Sequence, residues 1–184
     1  MRPGIITRLA SSRRESSMSS RLKVGDAAPD FALPSQTGES VSLEGLLGRK
    51  EIVLYFYPKD NSSGCTAEAC AFRDSYEVFK ERGAEVVGVS SDSIDSHKGF
   101  ASRNNLPFIL LSDADGKVRR LYGASSTFGL LPGRVTCIID RRGIVRHIFS
   151  SQLNPKKHID EALEALAKIR EAEGRNDEQH PTTG

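Results

Sequence analysis

Five short apolar runs mark the middle of the chain: EIVLYFY (51–57), AEVVGVS (84–90), FILLSD (108–113), VTCIID (135–140) and IVRHIFS (144–150). Their length and content of β-branched and aromatic residues predict strands. The first three are continuous rather than alternating, the pattern of strands covered on both faces. The last two are separated only by Arg141, Arg142 and Gly143, so they read as an antiparallel hairpin with Gly143 in its turn. An earlier stretch, DFALPSQTGESVSL (30–43), reads as another hairpin, turning at Thr37-Gly38. Helical spacing fills the gaps. Phe72, Tyr76 and Phe79 form one apolar stripe, with Gly83 as a stop. Residues 93–104 form a second helix, which Pro107 prevents from continuing. A third runs from Pro155 to about Glu171, with Ile159, Leu163, Leu166 and Ile169 on one face. Strands alternating with helices and ending in a hairpin imply an α/β fold, a central mixed sheet flanked by helices.

The chain has 184 residues, enough for one domain with a substantial core. No apolar run approaches the roughly 20 residues of a membrane-spanning helix. Three cysteines do not make the disulfide framework of a small secreted domain, and the N-terminus lacks the apolar centre of a secretory signal. A reducing compartment is expected. Charge is uneven: residues 1–23 carry five arginines and one lysine against Glu15, a net of +5, while 24–184 sum to −3. The folded part therefore has no general basic field for nucleic acid. Residues 1–23 form a Ser/Arg-rich leader expected to be disordered, 24–172 the domain, and 173–184 a polar tail. The leader resembles an organellar transit peptide in composition. Met18, opening MSSRLKVGDAAPDF, is also a plausible bacterial start, which would make 1–17 an upstream mis-start. That reading, with a bacterial cytoplasmic location, is favoured here; a plastid or mitochondrion is the alternative.

The chemistry centres on YPKDNSSGCTAEAC (57–70), where a buried strand runs through Pro58 and a polar loop into a helix opened by Cys65. Unpaired N–H groups and the dipole at a helix's first turn favour an anion, so a thiol placed there tends toward the reactive thiolate. A thiolate that attacks a peroxide becomes a sulfenic acid, which condenses with a second thiol, and Cys70 is a candidate for it. The two cannot bond within an intact helix: residues five apart lie about 8.6 Å apart at Cα, whereas a disulfide requires less than about 7 Å. Two other readings stand beside this one, a pair of inert packed thiols and an incomplete metal site. The four histidines lack metal-ligand spacing, and three cysteines cannot complete a Cys₄ site. Cys137, flanked by Val135, Ile138 and Ile139, reads as a core residue. Arg73 reads as the partner of Asp74 or of another acid. The glycines of LYGASSTFGLLPGR match neither a phosphate loop nor a dinucleotide fingerprint.

Pro58, Ser62 and Cys65 match the P-x-x-x-[T/S]-x-x-C pattern of peroxiredoxins, and FYPKDNSSGCTAEACAFRD with the later LPGRVTCIID resembles the PrxQ branch, also called bacterioferritin comigratory proteins. The similarity spans about 24–170. It implies a thioredoxin-like fold with an N-terminal β-hairpin extension, and a thiol-dependent peroxidase acting on hydrogen peroxide and organic hydroperoxides. By the same resemblance Cys65 is the peroxidatic cysteine and Cys70 the resolving cysteine. Ser62 supplies a hydroxyl to thiolate and peroxide, Pro58 shields the thiolate, and Arg134 stabilises it and polarises the O–O bond. The implied partner is thioredoxin or a related dithiol. The implied state is a monomer without metal, flavin or haem. One departure stands out: Ser62-Ser63-Gly64 replaces the usual Thr-Pro-Gly, losing a rotamer-restricting methyl and a fixed φ. Rival readings are a disulfide oxidoreductase or redox-sensing binder, and a non-catalytic thioredoxin-like interaction domain.

Overall fold

The computed structural model describes residues 21–125 and 133–179. Five strands form the central sheet: β3 (Glu51–Phe56), β4 (Ala84–Ser90), β5 (Ile109–Ser112), β6 (Val135–Ile139) and β7 (Val145–Ser150). They lie in the order β5-β4-β3-β6-β7. β4 runs parallel to both β3 and β5, while β6 is antiparallel to β3 and β7. The sheet is mixed, as the sequence implies. Every residue of β3 is buried, which is why its sequence does not alternate.

The helices divide between the two faces. On one face α2 (Ser63–Asp74), α3 (Tyr76–Glu81), α4 (Ile94–Asn104) and α6 (Lys157–Gln179) close a core containing Val53, Tyr55, Phe72, Phe79, Phe100 and Leu166. On the other face α1 (Leu43–Leu46) and α5 (Lys117–Leu121) cover Ile52, Leu54, Phe56 and Val87 with Leu43, Val118 and the nearby Tyr122. Both α1 and α5 are one-turn helices, too short to show a period in the sequence.

The early hairpin forms as β1 (Ala32–Pro34) and β2 (Ser40–Ser42), antiparallel and separate from the main sheet. It protects an edge. The Gln36 amide group donates to Phe108 O at 3.1 Å and accepts from Leu110 N–H at 2.8 Å, so β5 does not present an open ladder. At the opposite edge, Gly25 N–H donates to Val145 O and Ala28 N–H to Gly143 O, each at 2.8 Å.

Three boundaries differ from the sequence reading. The Phe72–Tyr76–Phe79 stripe spans two helices, interrupted at Ser75, whose ψ of 5° lies outside the helical range. Phe72 and Phe79 are nevertheless both buried, because the second helix continues the same face. Leu22, placed in the leader by composition, packs against the core. Helix α6 continues past Glu171 to Gln179, well into the expected polar tail. That extension, Ala172 to Gln179, contains Gly174, Asn176 and Asp177, which propagate a helix poorly, so residue propensity by itself does not foretell it. Residues 1–20 of the leader and residues 180–184 lie outside the described residues.

Candidate functional site

The β3–β6 register pairs Phe56 with Val135. One step further along each strand stand Tyr57 and Arg134, so the strand end leading to Pro58 lies beside an arginine distant in sequence. Ser150 Oγ donates to Arg134 O at 3.1 Å, tying this start of β6 to β7. Pro58 is half-buried at the exit of β3.

Ser62 is the N-cap of α2. Its Oγ accepts from Cys65 N–H at 3.4 Å and its carbonyl from Thr66 N–H at 2.9 Å. The single hydroxyl proton goes to Lys59 O at 3.2 Å. In this structure the Ser62 hydroxyl is directed to Lys59 O, and its hydrogen bond to the Cys65 thiolate and the peroxide is what the resemblance implies.

Cys65, in the first turn of α2, is 1% exposed and shares the inner face of the helix with Glu68, Ala69 and Phe72. Arg134, 5% exposed, reaches it from β6: Nη2 donates to Cys65 Sγ at 3.5 Å while Nη1 donates to Glu68 Oε2. One guanidinium thus bridges a thiol and a carboxylate. The approach depends on Gly64, where an added Cβ would lie 3.3 Å from Arg134 Nη2. Burial and the Glu68 carboxylate act in opposite senses on Arg134, and its pKa ends above the ordinary value, so the cation is held firmly.

Glu68 was not anticipated from the sequence. Its side chain is fully buried, and burial lifts its carboxyl to about 7, with Arg134 offsetting only part of the cost. Its Oε1 has no hydrogen-bond partner among the described residues and lies 3.8 Å from His158 Nδ1. His158 donates from Nε2 to Ser151 O at 2.9 Å, leaving Nδ1 to accept from Thr136 Oγ1 at 2.8 Å. Burial also pushes His158 below its ordinary value, consistent with this neutral ring. A signal was available: Glu68 sits three residues after Cys65 and four before Phe72, an acid on the apolar stripe of a helix.

Cys70 faces elsewhere. Its half-buried side chain lies on α4, with Sγ 3.9 Å from Asn104 Oδ1. Arg73 pairs with Asp74 at 2.8 Å, as expected, and also donates to Asn104 O at 2.8 Å. Cys65, Cys70 and Cys137 are all free thiols. Cys137 is fully buried in β6 opposite Leu54, and burial raises its thiol to about 12, as befits a core residue. Among the described residues no group of histidine, cysteine or acidic side chains is arranged to hold a metal ion. The site thus brings together Pro58, Ser62, Cys65, Glu68 and Arg134. Cys70 stands on the opposite flank of the same helix.

Residues 24–148 match the model of the AhpC/TSA family. Among curated proteins, the chain is 49% identical over 158 residues to the chloroplastic peroxiredoxin Q of Sedum lineare, covering 85% of this chain and 84% of the relative. It is 50% identical over 162 residues to that of Arabidopsis thaliana, covering 88% and 74% respectively. Among solved structures, it is similar to the peroxidoxin BcpB of Mycobacterium tuberculosis, with a TM-score of 0.75, 39% identity, and coverage of 81% of this chain and 99% of that one. Peroxiredoxin Q of Xanthomonas campestris aligns with a TM-score of 0.71 and 30% identity, covering 80% and 96%.

Proposed function

The chain belongs to the AhpC/TSA family, in its peroxiredoxin Q group, and on that premise we propose that Cys65 is the peroxidatic thiol and Cys70 the resolving thiol of a cycle completed within one chain. The protein is a thiol-dependent peroxidase of thioredoxin-like fold. The observation that carries the assignment of roles is the Arg134 guanidinium, set between the buried Cys65 sulfur and Glu68.

In the first step the Cys65 thiolate attacks the terminal oxygen of the peroxide. An S–O bond forms, the O–O bond breaks, and the alkoxide or hydroxide leaves and takes a proton, giving alcohol or water. Arg134 faces both the thiolate and the region where negative charge develops on the leaving oxygen. Pro58 limits access of solvent. Ser62 acts through the helix end it caps, holding the Cys65 amide in place. In the second step the Cys70 sulfur displaces the sulfenic oxygen, releasing water and forming the Cys65–Cys70 disulfide. An external dithiol, thioredoxin or a relative, then exchanges with that disulfide, becoming oxidised as both thiols return. Hydrogen peroxide and small organic hydroperoxides are the proposed substrates. By the resemblance to the peroxiredoxin Q group the proposed working state is a monomer, to be read by light scattering.

Intact-mass spectrometry of reduced protein after one equivalent of peroxide tests the assignment. The wild type should lose two hydrogens, Cys70→Ser should gain one oxygen, and Cys65→Ser should remain unchanged. Gain of oxygen without disulfide in the wild type would remove Cys70 from the cycle and leave resolution to an outside thiol.

Location has a second reading. The plant relatives are named chloroplastic, and the Arg/Ser-rich, acid-poor leader suits a transit peptide, which favours the plastid alternative over an upstream start at Met18. The N-terminal peptide of the native protein decides between them. Residues 1–17 removed by processing support the plastid reading, whereas a peptide beginning at an initiator Met18 supports the start.

A further inference from the structure

The Cys65–Cys70 disulfide requires the start of α2 to unwind, and a second buried cluster bears on where that unwinding stops. Asp60, two residues after Pro58, is 4% exposed, although it belongs to the loop that leads to Cys65. Its Oδ1 accepts from Tyr57 Oη at 2.7 Å, and its Oδ2 accepts from Ser96 Oγ at 2.7 Å and faces His97 Nδ1 at 2.9 Å. Its backbone N–H donates to Asp92 Oδ2 at 2.9 Å.

His97 is fully buried on α4, and its other nitrogen, Nε2, lies 3.1 Å from Leu111 O. A carbonyl oxygen only accepts, so Nε2 carries a proton. The Nδ1···Oδ2 contact is between a ring nitrogen and a carboxylate oxygen already accepting from Ser96, so a further proton lies between them. This is the reverse of His158, whose Nδ1 receives a hydroxyl proton. Burial alone would raise the Asp60 carboxyl, yet the hydrogen bonds from His97, Ser96 and Tyr57 outweigh it and hold it below the ordinary carboxylate range. Arg119 donates from Nη2 to Tyr57 O at 3.1 Å, so α5 grips the same strand exit.

The grip ends abruptly. Asn61, Ser62 and Ser63 are exposed. Asn61 has a φ of +60° and is held only at its surface, by Arg103 Nη2 at 2.8 Å. Helix α4 therefore holds the segment at both ends: Ser96 and His97 at Asp60, and Asn104 at Cys70 and Arg73.

We infer that the Asp60–His97 pair is the fixed hinge of the redox cycle, a positioning unit that stops the unwinding of α2 at Asn61 and returns Cys65 to Arg134 after each reduction. The inference rests on the proposed two-cysteine cycle. Removing one member of a buried, hydrogen-bonded pair is far more costly than freeing an exposed cap, so the chain opens at Asn61 and Ser62 before Asp60 moves.

The test compares the reduced protein with the peroxide-treated protein by nitrogen-15 NMR, after mass spectrometry has established loss of two hydrogens. Failure to form that disulfide would sink the cycle itself, separately from the hinge. With the disulfide formed, the amides of residues 62–66 should exchange freely, while the Asp60 amide exchanges at least about 100-fold more slowly. The His97 Nε2–H signal should persist. Loss of that signal, or exchange at Asp60 as fast as at Ser62, would overturn the hinge. A mild variant adds a second readout: Ser96→Ala removes one hydrogen bond to Asp60 at a half-buried position. It should speed Asp60 exchange in the disulfide form about 5- to 10-fold, leaving exchange in β3 as it was; unchanged Asp60 exchange would count against the hinge.

Discussion

Glu68 and Arg134 show how a single buried contact sets the electrostatics around the proposed peroxidatic thiol. Protonated Glu68 leaves the Arg134 charge undivided, facing the Cys65 sulfur. Ionised Glu68 takes a share of it. Because the carboxyl titrates at about 7, the reactivity of each thiolate toward peroxide should fall as pH rises through that value. Stopped-flow oxidation of Cys65 between about pH 5.5 and 8.5, corrected for the thiolate fraction, should show this inflection in the wild type and lose it in Glu68→Gln. An inflection that survives the substitution would assign it to another group. Cys137 makes the contrasting case. With its thiol raised to about 12 and no exposed surface, it should react with a thiol reagent only on global unfolding. A denaturant series that follows its labelling against the loss of circular dichroism checks this.

At the scale of elements, α2 carries two roles that conflict. Its first turn presents Cys65 to Arg134, and its second places Cys70 against α4, so an intact helix serves the proposed peroxide step and forbids the proposed disulfide step. Oxidation by one equivalent of peroxide should therefore lower the far-UV helix signal by roughly two turns, and dithiol reduction should restore it. An oxidised protein with an unchanged spectrum would mean that the disulfide forms by another route. Beneath this helix, Tyr55 stacks on Phe72 with ring centroids 4.5 Å apart and lies across Gly88 of β4. A Cβ at Gly88 would come within 2.8 Å of the Tyr55 ring and of Leu110, so Gly88→Ala should cost about 1–3 kcal/mol through overpacking. Chemical denaturation measures that loss, which should appear without any change in the site's charges.

The whole molecule places the proposed reactive centre where the sheet changes character. β3 is central, with a parallel neighbour on one side and an antiparallel one on the other. The antiparallel neighbour returns the chain to the end of β3 and brings Arg134 opposite Tyr57. The parallel side needs a crossover, and that crossover consists of α2, which bears Cys65, and α3. Chain outside the main sheet guards its edges: Gln36 closes β5, while Gly25 and Ala28 lie along the β7 hairpin.

Much of this was legible along the chain. All five strands of the main sheet, both hairpins and the long helices follow from apolar periodicity and turn residues, because burial on two faces writes continuous apolar runs and burial on one face writes stripes. Cys65, Cys70 and Pro58 could be placed for the same local reason, since a strand exit, a polar loop and a helix start are signals within a few residues. Ser62 could be placed too, but the destination of its one proton depends on Lys59 O, a detail of loop geometry that residue type does not encode. Tertiary structure alone decided the partnership of Arg134 with Glu68, the burial of Asp60 against His97, and the division of a single stripe into α2 and α3. Each depends on which distant segments pack together, and on whether a polar side chain that usually stays in water is taken into the interior with a partner.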